Sequence, residues 1–512
     1  MVQNSLGRFI PETYNGIKRK PYSSPFTENP SGQEYARPVK IARPGDKKLL
    51  PSLKDAIIAS GLKDGMTIAT HHHLRNGDGL LNQVVKEIDE LGIRDITIAS
   101  SSIHPVHAEL IPYIKKGVIT SFECGVNGLI GELTSKGELN APIVVRSHGG
   151  RARSMMTGEV KVDVAFIAAP TCDNQGNMNG YYGKSACGSL GYAHVDARYA
   201  DKVVAVTDNL VPYPASPVSI SQTSVDFVVE VESLGDPKKI VSTTTRVTTD
   251  PIGLMIAKNT AETIAASGLL RDGFSFQTGA GGTSLAVADN IKKLMQTRQV
   301  RGSFGSGGIT GYFVEMLEQG LFQTLMDVQC FDLKAVESIG KNMTHQEISA
   351  DMYANPFNMG SVVNMLDVVI LGATEVDTSF NVNVNTESNG YLLHNTGGHS
   401  DTAAGAKLSI IVAPSIRGRL PIIRDEVTTI TTPGETVDII VTERGIAVND
   451  KHPELKNELI KNRLPVKNIH DIQKEITDIT GIPRSVEFTD DIVALIEYRD
   501  GTIIDAVRKV KE

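Results

Sequence analysis

IIASGLKDGMTIAT at residues 57–70 and TIAASGLLRDGFSFQT at 263–278 are one phrase written twice. Gly61 falls on Gly268, an offset of 268 − 61 = 207, and Gly65 falls on Gly273, an offset of 208, so one residue has been inserted. The echo continues downstream in order. ITIASSSI at 96–103 matches GSFGSGGI at 302–309, and IKKG at 114–117 matches LEQG at 317–320. VDVAFIAAPT at 162–171 matches LDVVILGATE at 366–375, and ADKVVAV near 200 matches AKLSIIV near 406. The chain therefore reads as two successive domains of similar fold, 51–235 and 250–435.

The repeated unit is α/β. DITIAS, PIVVRS, VDVAFIAA and DKVVAVT are short, continuous apolar runs, the pattern of strands buried on both faces of a parallel sheet. LLNQVVKEIDEL and AELIPYIKKG have helical spacing, and Gly117 stops the second. The expected fold class is α/β: two tandem, Rossmann-like domains with largely parallel sheets. In open α/β sheets, ligands bind at the carboxyl ends of strands.

Residues 1–50 differ. Six prolines and nine Lys or Arg against four Asp or Glu disfavour a packed element there, because proline blocks helices and central strands. The segment reads either as an extended arm wrapping the body or a neighbour, or as a tail. Residues 436–512 read as a small α+β segment packing on the second domain. VDIIVTERGIAVN supplies one or two strands, KNELIKNRL a short helix, and EYRDGTIIDAV a hairpin with an Asp-Gly turn.

Composition excludes some function classes. A net charge of −8 argues against binding nucleic acid by phosphate neutralisation. No apolar run approaches the roughly 18 residues of a membrane span, and the N-terminus lacks the apolar core of a signal peptide. Cys124, Cys172, Cys187 and Cys330 are scattered without C-x-x-C spacing and read as reduced, structural thiols of a cytoplasmic protein.

Three glycine loops in the second domain are the sharpest chemical signals. In FQTGAGGTSLAVADNIKKL a strand ends at Thr278, and a helix begins near Ser284. Gly279, Ala280, Gly281 and Gly282 between them let the backbone approach a ligand. The free N–H groups of the helix start suit a phosphate or a thioester oxyanion. Gly307 and Gly308 in FGSGGIT end the next strand. Gly397, Gly398 and His399 in HNTGGHSDTAAGAK form the third turn, and TESNG places Glu387 near it. Together they suit a long, phosphate-bearing ligand laid along backbone. In the first domain, SHGGRARSMM gathers His148, Arg151 and Arg153, a set suited to carboxylate or phosphate recognition, or to ordinary salt bridging.

ATHHHLRNGDGL at 69–80 sits where the repeat places a glycine loop. With the 208 offset, Thr70 falls on Thr278, and His71, His72 and His73 fall on Gly279, Ala280 and Gly281. No metal site is expected: on an extended chain only His71 and His73 could share a face, and no Asp or Cys stands at helical ligand spacing. The histidines are then packed in the core or, with Arg75, line a polar pocket for an anionic substrate.

THHHLRNGDG, SHGGRARSMMTGEVKVDVAFIAAP, FQTGAGG, TGGHSDTAAGAK and VDIIVTERGIA together resemble the CoA-transferase family, in its citrate lyase alpha-subunit branch, from about residue 50 onward. The resemblance implies two CoA-transferase domains, an acid side in the first and a thioester side in the second. It implies an exchange of acetate for citrate on a thioester carried by an acyl carrier protein, with a separate beta subunit cleaving the citryl thioester. No tightly bound cofactor is implied; CoA, or the carrier's CoA-like group, is substrate. Citrate and acetate, the beta subunit and the gamma acyl carrier protein are the implied partners, in a homo-oligomer within the complex. The resemblance assigns the acid to His71, His72, His73, Arg75, His148, Arg151 and Arg153. It assigns the thioester to Gly279–Gly282 and Gly397–His399, and the oxyanion to Gly281, Gly282, Gly307 and Gly308. Many CoA-transferases form a covalent glutamyl thioester, but the aligned position falls near Gly307, which has no carboxylate. Direct transfer in a ternary complex is expected, with Glu387 the carboxylate on which an adduct would refute it. A CoA-transferase of the malonate decarboxylase alpha type, or a non-catalytic sensor of the same fold, are the competing readings.

Overall fold

The computed structural model describes residues 1–24, 45, 47–241 and 246–511. The first half contributes β1 (Leu49–Leu50), β2 (Thr67–Ala69), β3 (Ile96–Ile98), β4 (Ile119–Phe122), β5 (Ile143–Arg146), β6 (Val164–Ala168), β7 (Lys202–Thr207) and β8 (Phe227–Glu230). Seven of them form one parallel sheet in the order β1-β8-β7-β6-β2-β3-β4. β6 and β7 are buried almost throughout, as continuous apolar runs require. Helices α1 (Leu53–Ser60), α2 (Leu80–Glu90), α3 (His148–Met156) and α4 (Ala193–Tyr199) belong to this half. The repeated phrase at 57–70 forms the end of α1 and the whole of β2. Gly61 closes α1 at φ 73°, a conformation that favours glycine.

The second half contributes β9 (Ser275–Thr278), β10 (Gly302–Ile309), β11 (Phe322–Cys330), β12 (His345–Glu347), β13 (Val368–Gly372), β14 (Leu408–Val412), β15 (Ile439–Thr442) and β16 (Gly445–Val448). Its sheet runs β12-β11-β10-β9-β13-β14-β15-β16, parallel except for the last pair. Its helices include α5 (Pro251–Ala266), α6 (Gly282–Arg298), α7 (Ala350–Ala354) and α8 (His399–Gly405).

The segments that match in sequence occupy matching places. The order β4-β3-β2-β6-β7-β8 in one sheet corresponds to β11-β10-β9-β13-β14-β15 in the other. Each is the doubly wound 3-2-1-4-5-6 order, whose chain reverses direction across the sheet beside its first strand. That switch point lies between β2 and β6 in one half and between β9 and β13 in the other. The histidine triple leaves β2, and the first glycine loop leaves β9. One buried cluster runs through both halves, joining Phe166 and Ile68 to Phe276 and Ile370.

The C-terminal segment departs from expectation. Residues 436–448 complete the second sheet through β15 and β16, because the apolar run IIVT buries fully beside β14. The helix Ile469–Thr480 packs on that sheet's other face. The hairpin of β17 (Phe488–Glu497) and β18 (Thr502–Val510), turned at Asp500–Gly501, instead pairs with β5 of the first half. Pairing there covers β5, which is buried along its length and takes no place in the first sheet. The hairpin is locked by Glu497, which is buried between Arg146 Nε at 2.9 Å and Arg153 Nη2 at 2.8 Å. Of the N-terminal arm, Lys20–Pro21 adds to β18, Asn4 donates to the Ile503 and Ile504 carbonyls, and Tyr22 bonds Glu435. β1 is the edge of the first sheet. Residues 25–44 and 46 of the arm lie outside the described residues.

Candidate active site

The first half presents its histidines at the end of β2. Thr70 Oγ1 shares a 2.7 Å hydrogen bond with Ser100 Oγ, and the His72 N–H donates to Ser101 Oγ at 3.0 Å. These bonds fasten the loop to the chain leaving β3. His72 Nδ1 lies 2.6 Å from the same Ser101 hydroxyl. His73 Nδ1 and His71 Nδ1 are 2.6 Å apart. All three imidazoles are buried. The loop is longer than its glycine counterpart: a 3₁₀ turn, Arg75–Gly77, stands between the histidines and α2. Arg75 sits at φ 51°, a region costly to a long side chain.

The histidine rings form a wall. His72 lies 4.6 Å from Tyr192, 5.3 Å from His104 and 5.6 Å from His148, centroid to centroid. His148 opens α3, and Tyr192 immediately precedes α4. Burial lowers the pKa of every one of these imidazoles. His71 falls to about 4, with the Arg151 charge adding to the effect and Asp78 opposing it. His104 falls to about 3, with Arg75 next in effect, and His148 to about 3, with Arg151 next. His72 and His73 are pushed well below the ordinary range by burial and by their neighbouring imidazoles. The wall is neutral at pH 7.

The second half closes over it. Gln329 on β11 donates from Nε2 to the His72 carbonyl at 3.1 Å. Arg75 holds its guanidinium 4.9 Å above the Phe331 ring. That ring lies against Gly308, where a Cβ would run into it. Gly307, at φ 95°, would place a Cβ 2.6 Å from the Gln277 amide. Gln277 Nε2 donates to the Tyr353 hydroxyl at 2.8 Å, and that hydroxyl lies against Gly398. The His148 N–H donates to the Gly397 carbonyl at 2.8 Å. The expected second glycine loop is instead a bulge inside β10, at Gly307–Gly308; it, the histidine loop and the third glycine loop meet in one place.

The first glycine loop is more open. Added Cβ atoms at Gly279 and Gly281 would meet nothing closer than 3.7 Å, whereas one at Gly282 would lie 2.9 Å from the Arg246 carbonyl, and Gly281 precedes α6 with no side chain of the described residues capping it. The backbone N–H groups at that helix start are available to an anion.

Other candidates are committed elsewhere. Arg151 Nη2 lies 2.6 Å from both Asp196 Oδ1 and the Ala99 carbonyl. Arg153 pairs with Glu159 and Glu497. His399 uses both ring nitrogens, on Thr432 Oγ1 and the Gly372 carbonyl. Glu387 is exposed on its turn and accepts from Asn389. By contrast, Arg75 Nη1 and His104 Nε2 are buried with no hydrogen-bond partner among the described residues. Only one group of His, Cys and Asp among the described residues brings ligand atoms together, Asp327, Cys330 and His345. They bond one another: His345 Nε2 is 2.9 Å, and Cys330 Sγ 3.0 Å, from Asp327 Oδ2.

Sequence reasoning missed His104, Tyr192, Gln277, Gln329 and Tyr353. His104 had a signal: the repeat aligns Ser101 and Ser102 with Gly307 and Gly308, so the residue after Ile103 belongs to a strand-end loop. Gln329 had none, because only packing of the two halves brings it to the histidines; Tyr192 had none, because its contact with them depends on how α4 packs within the first half.

Two doubly wound halves with facing strand-end loops, one carrying histidines and one glycines, define a CoA-transferase-like protein. The comparisons narrow this. Residues 46–510 match the family model "Citrate lyase, alpha subunit (CitF)". The citrate lyase alpha chain of Haemophilus influenzae is 48% identical over 94% of this chain and 96% of its own. That of Escherichia coli is 48% identical over 91% and 92%. The chain belongs to the citrate lyase alpha subunit family. The solved structure of the Streptococcus mutans citrate lyase alpha subunit, in complex with citrate, superposes with a TM-score of 0.96, at 47% identity over 100% of both chains. A malonate decarboxylase alpha subunit from Acinetobacter baumannii, 14% identical over 86% of this chain and 96% of its own, reaches a TM-score of 0.61 and shares the fold.

Proposed function

We propose that this chain catalyses the transferase step of citrate lyase: acetyl thioester plus citrate gives citryl thioester plus acetate. The observation that carries the residue-level reading is the contact of Arg75, through Phe331, with Gly308. It sets a cation with a free, buried donor beside the glycine bulge of β10. A citrate complex of a relative 47% identical supports citrate as the acid.

On this reading His71, His72, His73, Arg75 and His148 hold the acid, and Arg151 and Arg153 support the framework through their own carboxylates. Gly279–Gly282 receive the CoA-like group, with Gly397 and Gly398 beside it. A citrate carboxylate oxygen attacks the acetyl carbonyl. Backbone N–H groups at Gly281–Gly282 or Gly307–Gly308 hold the oxyanion. The C–S bond breaks, giving a mixed anhydride and a thiolate. The thiolate then attacks the citryl carbonyl, and acetate leaves. Holding both acids and the thiol in one cleft is the main contribution of the protein. Glu387 forms no adduct in this scheme.

A citrate lyase beta subunit and a gamma acyl carrier protein are the proposed partners, in a cytoplasmic complex containing several copies of this chain. No helix among the described residues is long and apolar enough to cross a membrane. Incubating the purified chain with acetyl-CoA and citrate, with and without the carrier protein, should yield citryl thioester and acetate by mass spectrometry. No exchange with the carrier supplied, or an acyl adduct on Glu387, would overturn the scheme.

A further inference from the structure

The 2.6 Å contact between His71 Nδ1 and His73 Nδ1 needs a proton between two nitrogens. When both rings are neutral, the accepting ring carries its single N–H proton on Nε2, and the donating ring, protonated on Nδ1, has a bare Nε2. Both Nε2 atoms are buried, with no hydrogen-bond partner among the described residues. One of them is therefore a base without a proton. The Ala168 carbonyl favours the protonated form of His71, and the Val328 carbonyl that of His73. One added proton would give both rings an Nε2–H and the pair one positive charge.

The carboxylate that faces the pair, Asp78, is already engaged by His107. His72 faces the pair from its own loop, Asp78 from just after the 3₁₀ turn, His148 and Arg151 from α3, and Tyr192 and His194 from around the start of α4. The nearby carboxylates have partners: Asp78 with His107 at 2.9 Å, Asp196 with Arg151, and Asp327 with His345. Burial outweighs Asp78 and keeps the pair neutral, and an entering polyanion supplies further negative charge.

We propose that the His71–His73 pair is the element that selects a polycarboxylate over a monocarboxylate, by taking up one proton when the polyanion enters. This rests on the histidine loop being the acid site. The two claims fail separately. By linkage, a site that gains a proton binds its ligand more weakly as pH rises.

The test is titration calorimetry of citrate into the full chain at about pH 7.5, where citrate is already fully ionised, in buffers of different ionisation enthalpy. The expected result is an uptake of about one proton per citrate, with affinity falling up to about tenfold per pH unit above that point. His73→Gln should lose the uptake. Citrate binding with a heat independent of buffer would overturn the proposal and leave the acid site standing; this needs only the unaltered chain. Citrate affinity unchanged in His71→Gln, His73→Gln and Arg75→Gln would overturn the acid site, and the proposal with it.

Discussion

Arg75, half-buried, and Arg151, buried, are both arginines of the first half, and the structure assigns them opposite behaviour. Among the described residues Arg75 has no carboxylate partner; its guanidinium stacks on Phe331, with Nη1 unbonded. Replacing it with Gln removes a cation–π contact, worth about 0.5–2 kcal/mol, and also removes a partly buried charge. These terms oppose one another, so Arg75→Gln should change stability without ligand by no more than about 1 kcal/mol. A hydrogen bond to a charged group is worth roughly 1.5–3 kcal/mol. Citrate affinity should therefore fall about 10- to 150-fold, while the affinity for acetyl-CoA stays within about twofold. Arg151→Gln should do the reverse. It leaves Asp196, 1% exposed, without the guanidinium 2.6 Å away, and breaking such a pair costs about 3–5 kcal/mol. Urea denaturation of the free chain and calorimetric titration with citrate and acetyl-CoA measure both quantities for both variants. The reasoning fails if Arg75→Gln destabilises the chain as much as Arg151→Gln, or weakens citrate and acetyl-CoA equally.

Three further outcomes follow from the geometry. In the unfolded chain His71, His104 and His148 titrate near 6.5, but in the fold near 4, 3 and 3. The unfolded state therefore binds protons first, and stability held above about pH 6.5 is lost on acidification toward those values, by up to about 1.4 kcal/mol per pH unit per ring. Urea midpoints at decreasing pH should show this, and a smaller slope in His104→Gln checks the assignment. Glu497→Gln should cost up to about 3 kcal/mol, because Arg146 and Arg153 lose their shared buried carboxylate and keep only Glu123 and Glu159; limited proteolysis should then cut near the β17–β18 hairpin, and an uncut hairpin would contradict its role as the lock. Gly308→Ala should displace Phe331 and with it Arg75, lowering kcat/KM for citrate at least about tenfold, or about 1.4 kcal/mol; unchanged kinetics would separate the glycine bulge from the acid site.

The sequence alone determined the repeat, because a parallel α/β unit writes itself in continuous apolar strands and glycine stops that survive duplication. Once IIASGLKDGMTIAT was matched to its partner at 263–278, the strand-end position of the histidines and of Gly279–Gly282 followed, since strand-to-loop order is local. Local order also made the Asp500–Gly501 hairpin legible. Partnership was not. Whether an arginine is free, like Arg75, or spent, like Arg151 on Asp196 and Arg153 on Glu497, depends on residues 45 and 344 positions away. The hairpin's choice of β5 over the second half was equally hidden, because backbone hydrogen bonding carries no address in the sequence. The approach of Gln329 to His72, and of His148 to Gly397, exists only because the two halves bury a common apolar surface. That surface brings two strand-end loops, each already drawn in the sequence, into one cleft.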